Sequence, residues 1–223
     1  MNFSRAYLNS YLAVRLDQKK LRCSANSHQC GNACVPKTKR CRPSKAIIRK
    51  VEALENKIKD LPYERAISVD PNTGKVLLNK GGGQTNVDFT REEMDVLRGS
   101  ILTHNHPNIE GAKPPNPLSK GVSFSPDDVR AACILDLTEI RAVSAGWRHT
   151  LQPPEKGWDY LYWGFKVKPT YKKYEKQVMD DFIGEIVIGK KSIPQAEADY
   201  HHEVIKRTAQ ELGMKYERTP IKK

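Results

Sequence analysis

Ser100-Ile101-Leu102-Thr103-His104 is a short apolar, β-prone run that ends in polar residues, and Pro107 stops it. It reads as a buried strand. After an irregular stretch, Ser125-Pro126-Asp127-Asp128 opens a helix that continues through Val129, Ala131, Ala132, Ile134 and Leu135. Serine suits the N-cap, proline the first helical position and acids the first turn. Strand and helix in succession point to an α/β architecture.

His104 and His106 are two positions apart, so on a strand their side chains point the same way. A carboxylate from the following helix completes a set of three ligands. Two neutral imidazoles, one carboxylate and a water make an open zinc site, which is a catalytic rather than a structural type. Asp128 is the expected third ligand, and adjacent Asp127 is an alternative that sequence does not separate from it. Each half has a plainer reading by itself. Ser125-x-x-Asp128 is also a capping-box start, and two histidines alone read as surface or loop residues. Their combination with Pro107 and an upstream acid favours a site. That acid is Glu64, in the strand Tyr63-Glu64-Arg65-Ala66-Ile67-Ser68-Val69. The turn Asp70-Pro71-Asn72-Thr73-Gly74 follows it, then a second strand, Lys75 to Leu78. A water-activating site needs a base to take a proton and return it to the leaving group, and a glutamate on a neighbouring strand serves.

This constellation resembles the JAB/MPN metallopeptidases, also called JAMM proteins. Their pattern is an early-strand glutamate, then His-x-His-Pro, then Ser-x-x-Asp at a helix start. It falls here on Glu64, His104, His106, Ser125 and Asp128, within about residues 62 to 150. The resemblance implies a mixed β-sheet flanked by helices, zinc on His104, His106 and Asp128, Glu64 as general acid/base, and Ser125 stabilising the oxyanion. A narrower similarity is to JAB domains of phage morphogenesis proteins and bacterial polymorphic toxins. It rests on Glu64-Arg65-Ala66, Leu102 to Pro107, Phe124 to Asp128, Glu139 to Val143, and the ending His202-Glu203-Val204 … Glu211 to Tyr216. It implies a phage-encoded or mobile-element protein.

One departure stands out. His106 and Asp128 are 22 positions apart, farther than in compact versions of the motif. The extra stretch, Asn108 to Ser123, carries Gly111, Pro114, Pro115, Pro117 and Gly121 and reads as a surface loop. It would cover the site, shape substrate choice, or displace the aspartate and abolish metal binding.

At 223 residues the chain has room for one good core plus an appendage. The expected division is a basic N-terminal part, residues 1–61, and a JAB/MPN-like domain with C-terminal helices, residues 62–223. No apolar run approaches the roughly 20 residues needed to span a bilayer, and Met1-Asn2-Phe3-Ser4-Arg5 lacks the apolar core of a secretory signal. Synthesis in a bacterial host cytoplasm is expected, with incorporation into a virion as an extension. Residues 1–61 carry +10 of the net charge of +12. Such a segment suits an acidic partner, nucleic acid among them, or else serves as a solvated arm.

The same segment holds Cys23, Cys30, Cys34 and Cys41, spaced C-x6-C-x3-C-x6-C. It is too poor in apolar residues to fold by burial, so a cross-link must organise it. Four thiolates would hold a second, structural zinc, with His28 able to replace one thiol; two disulfides are the alternative. Intracellular synthesis favours zinc, the absent C-x2-C knuckles favour disulfides, and the balance falls to zinc. Cys133 reads as a buried core residue.

Further elements follow from periodicity. Phe3, Tyr7, Leu8, Tyr11 and Leu12 mark an N-terminal helix, and Ile47, Val51, Leu54 and Ile58 mark a second after Pro43-Ser44. Thr90 to Glu93 is a capping box. Gly81-Gly82-Gly83 reads as a flexible hairpin connection. Thr138 to Val143 and His149 to Leu151 read as strands. Trp158, Tyr160, Tyr162, Trp163 and Phe165 alternate like a strand, for stacking nucleobases or for packing under helices. Tyr171 to Val187 and Pro194 to Leu212 read as helices, with His201 and His202 on the surface or in packing.

Two functions fit: a zinc-dependent peptidase or isopeptidase acting on protein, or a structural or adaptor protein of a phage particle. In the second, the fold is a scaffold docking to phage structural proteins through the basic arm.

Overall fold

A computed structural model describes residues 27–30, 33–36, 43–107, 123–144, 146–158 and 160–221. The expected N-terminal helix, Cys23, Cys41 and nearly all of the long loop before Ser125 lie outside the described residues. Two short strands, β1 (Ser27–Cys30) and β2 (Ala33–Pro36), pair antiparallel. Cys34 on β2 is disulfide-bonded. Of the two alternatives for this segment, that thiol follows the disulfide one, because a thiol consumed in a disulfide is no longer a thiolate ligand of a four-cysteine cage.

Helix α1 (Lys45–Ile58) starts where Ser44 caps it, the serine hydroxyl accepting from the Ile47 amide at 3.3 Å. Then come β3 (Arg65–Val69), β4 (Val76–Gly81), α2 (Arg91–Leu97) and β5 (Ile101–Asn105). Next are α3 (Pro126–Ile134), β6 (Glu139–Ser144) and β7 (Trp147–Gln152). The chain closes with α4 (Tyr160–Tyr162), a π-helical turn (Trp163–Val167), α5 (Lys168–Val187), α6 (Ile193–Leu212) and β8 (Lys215–Pro220). Among the described residues no helix is long and apolar enough to cross a membrane.

The larger sheet has the order β4-β3-β5-β6-β7-β8. Its β5–β6 pair is parallel and the other pairs are antiparallel. The architecture is thus mixed α/β, as expected. Alternation divides the strands between two faces. Ile67, Val69, Ile101 and Val143 pack against Ile47, Val51 and Ile58 of α1. Their neighbours Ala66, Leu102, Ile140, Ala142 and Leu151 belong to the larger core, with Val129 and Ala132 of α3, Val178 of α5 and Val204 of α6. Cys133 lies in that core, buried and free.

A buried ion network ties α1 to the sheet. Glu55, fully buried, accepts from Arg141 Nε at 2.5 Å, from Arg148 Nε and from Thr103 Oγ1 at 3.2 Å. Glu139 takes the other side of Arg141.

Two expectations change. The Trp158–Phe165 stretch is helical from Tyr160 onward, not a strand. The helical run continues into α5, where the buried positions Val167, Thr170, Tyr171 and Val178 recur at helical spacing, and the period-two run of aromatics is partly outward, with Phe165 76% exposed. Trp158 is anchored instead by donating from Nε1 to the Leu137 carbonyl at 2.8 Å. The glycine run is not a flexible connection either. The Gly82 amide donates to the Glu64 carbonyl at 2.8 Å, and the Glu64 amide donates to the Gly83 carbonyl at 2.7 Å. A Cβ on Gly82 would lie 2.0 Å from the Asn86 carbonyl oxygen, so this close backbone approach requires glycine.

Candidate metal centre

The site forms where β5 ends and α3 begins. The connection between parallel strands β5 and β6 runs through α3, so the C-terminal end of one element faces the N-terminal end of the other. β5 presents His104, fully buried, and the chain just past its end presents His106. α3 presents Asp128 in its first turn, where a negative charge meets the positive end of the helix dipole.

Three ligand atoms converge. His104 Nε2 lies 2.8 Å from His106 Nε2 and 3.4 Å from Asp128 Oδ1, and His106 Nε2 lies 3.8 Å from Asp128 Oδ2. Ligand atoms around a tetrahedral zinc, at bonds of about 2.0–2.1 Å, are separated by roughly 3.3 Å. Among the described residues, these three are the group of histidine, cysteine and carboxylate side chains close enough to share a metal ion. Asp127 is not part of it, because the next position along a helix points about 100° away.

The protonation states suit a cation. Burial pushes the His104 imidazole down to about 3, so the ring is neutral near pH 7. Burial pushes Asp128 up, yet its carboxyl is held below the usual range, the facing His104 and His106 and the Ser125 backbone N–H each contributing to the lowering. Neutral imidazoles and an ionised carboxylate are the forms that ligate. The donor set therefore fits a divalent metal ion.

Glu64 lies just before β3 and is 3% exposed. Ala66 opposes His104 across the β3–β5 pair. Two residues earlier on the same alternation, Glu64 falls on the face of His104 and His106. Burial raises its carboxyl to about 7, and the Asp128 charge adds to the rise. Ser125 caps α3. Its backbone N–H and its hydroxyl both donate to Asp128 Oδ2 at 2.8 Å.

Alternation also extends the site sideways. Ala66, His104, Ala142, His149 and Arg218 form one row across β3, β5, β6, β7 and β8. His149 is fully buried, and its Nδ1 lies 2.9 Å from the Tyr216 hydroxyl. That hydroxyl also meets His202 Nδ1 at 2.8 Å and Ser123 Oγ at 2.9 Å. His202, expected on the helix surface or in packing, thus joins a polar cluster that anchors Ser123, two residues before the α3 cap. His201 has its pKa lowered by burial, and the charges of His106 and Asp128 also bear on it. Sequence reading missed this cluster. The one signal was a histidine, His149, at an inward-facing strand position.

Comparison with family models, with curated proteins and with solved structures gave no match to this chain.

Proposed function

We propose that this chain is a zinc-dependent peptidase or isopeptidase of JAB/MPN type. The observation that carries the reading is the convergence of His104, His106 and Asp128 on one point, beside a buried Glu64 on the same sheet face. His104, His106 and Asp128 would hold a zinc ion, which would supply Lewis acidity for the scissile carbonyl and for a water near neutral pH. The protein's own groups do the rest. Glu64 accepts the proton of the attacking water and returns it to the leaving amine. A buried carboxylate on the same sheet face as the ligands suits a base that takes a proton and gives it back. Ser125 holds the Asp128 carboxylate through two hydrogen bonds. For Ser125 to stabilise an oxyanion as well, its hydroxyl proton must swing away from Asp128. The substrate class is a protein, and the phage-type resemblance points to phage structural proteins as substrates or partners.

The test begins with metal content by elemental mass spectrometry. One zinc per chain is expected in the wild type and none in His106→Ala. Glu64→Gln is expected to keep zinc and to lose cleavage of isopeptide-linked and linear peptide mixtures. A wild type without zinc overturns the reading and leaves the non-catalytic scaffold. Retained cleavage in Glu64→Gln removes the assigned base.

A further inference from the structure

Asn105 stands between the two histidines and points to the opposite face of the sheet. It is fully buried. Its Oδ1 accepts from the Arg65 backbone N–H at 2.7 Å, and its Nδ2 donates to the Tyr63 carbonyl at 3.0 Å and the Leu61 carbonyl at 3.4 Å. Tyr63 and Arg65 are the chain neighbours of Glu64, so one side-chain amide grips the peptide groups on both sides of it. The β3–β5 ladder does not reach this far, because its register stops at Ala66 opposite His104. Beyond that point Asn105 supplies the cross-strand hydrogen bonds that backbone no longer supplies. The grip needs a donor and an acceptor at this reach. Asparagine has both, aspartate lacks the donor and leucine lacks both.

We propose that Asn105 is the positioning residue for Glu64, setting where the glutamate carboxylate stands beside the His104–His106–Asp128 centre. Its catalytic consequence rests on the hydrolytic reading above, whereas the anchoring is testable without it. Asn105 touches neither substrate nor metal in this role. The ligand set is left intact when it is lost, and the segment carrying Glu64 loses its tie to β5 while keeping its backbone hydrogen bonds to Gly82 and Gly83.

The experiment compares wild type, Asn105→Leu and Asn105→Asp. Zinc per chain is expected to stay at the wild-type value in both variants. Hydrogen exchange of the Arg65 amide is expected to quicken about tenfold or more in Asn105→Leu, which leaves that donor without its acceptor. Asn105→Asp keeps the acceptor and is expected to restore most of the protection. On a cleaved peptide, kcat is expected to fall about tenfold or more in Asn105→Leu at little-changed KM, the signature of a misplaced base rather than weakened binding. Unchanged Arg65 exchange overturns the proposal, as does zinc loss in step with activity, which would assign Asn105 to the metal ligands instead. If the wild type cleaves nothing, the hydrolytic reading has failed and the Arg65 exchange rate alone upholds or overturns the anchoring. Should Asn105→Leu not fold, a through-hydrogen-bond scalar coupling between the Arg65 amide nitrogen and the Asn105 side-chain carbonyl carbon in the wild type decides, and its absence overturns the anchoring.

Discussion

Ser125 and Asp128 hold each other in place at the start of α3. The serine amide and hydroxyl both donate to Asp128 Oδ2, and the Asp128 amide donates back to the serine hydroxyl oxygen at 3.2 Å. The same carboxylate faces His104 and His106. A helix cap and a metal-ligand clamp are therefore one arrangement, not two competing readings of Ser-x-x-Asp. Ser125→Ala is expected to cost about 1 kcal/mol of stability as a lost cap. It is also expected to weaken zinc binding about 10–100-fold, as loss of a hydrogen bond to a ligand does. Chelator competition and thermal unfolding measure the two effects. Unaltered zinc affinity would reduce Ser125 to a cap alone.

Glu64 makes the metal-free protein lose stability as pH rises from about 4.5 to about 7. The folded state raises its pKa from 4.5 to about 7, chiefly by burial. Below about pH 4.5 both folded and unfolded chains hold the proton and there is no penalty. As pH rises through that range the unfolded chain releases its proton first, so stability falls until about pH 7. Glu64→Gln removes this loss. Allowing for the water that still reaches the site, the variant is expected to be about 1–2 kcal/mol more stable than wild type at pH 8, and equal to it at pH 4. Denaturant titration of the chelated proteins checks this, and equal stability at pH 8 would count against a buried Glu64. His104 works in the opposite direction in both proteins. Its lowered pKa means that stability is lost as pH falls from 6.5 toward 3.

Tyr216 is the hub of the polar cluster next to the metal centre. Its hydroxyl has one proton for three partners, Ser123, His149 and His202, so at least two of these contacts must be donated to it. Tyr216→Phe keeps the ring and deletes the hub. A loss of about 1–3 kcal/mol is expected on thermal unfolding. An unchanged midpoint would mean that water satisfies the cluster equally well.

Glu55 is the buried acid opposite two arginines. Burial pushes its carboxyl up, but Arg141 and Arg148 outweigh this and hold it below the ordinary value. Its contribution is present above the unfolded-state pKa and is lost as pH falls through the lowered folded-state value. Glu55→Ala leaves the Arg141 guanidinium, 4% exposed, short of its main partner. About 3–5 kcal/mol of destabilisation is expected from chemical denaturation at pH 7. A loss below about 1 kcal/mol would show that α1 is held by Ile47, Val51 and Ile58 alone.

Strand β5, the capped start of α3 and the turn between β3 and β4 were readable because their signals are local. Alternation, a proline stop and an N-cap act within a few residues, and neither His104 nor Ser125 needs a distant partner to be recognised. The aromatic stretch from Trp158 misled for the same reason: its period of two is a local coincidence, and burial of Val167, Tyr171 and Val178 against the core decided for helix.

The chain's own residue order determined the donor types and their spacing along two elements, because a strand alternates and a helix start has its own chemistry. Only the tertiary structure decided that Asp128 rather than Asp127 joins the histidines, that Asn105 grips both neighbours of Glu64, and that His149, His202 and Tyr216 meet. These contacts join residues between 14 and 67 positions apart. Register between strands and the packing of helices on a sheet set them, and no local pattern encodes either.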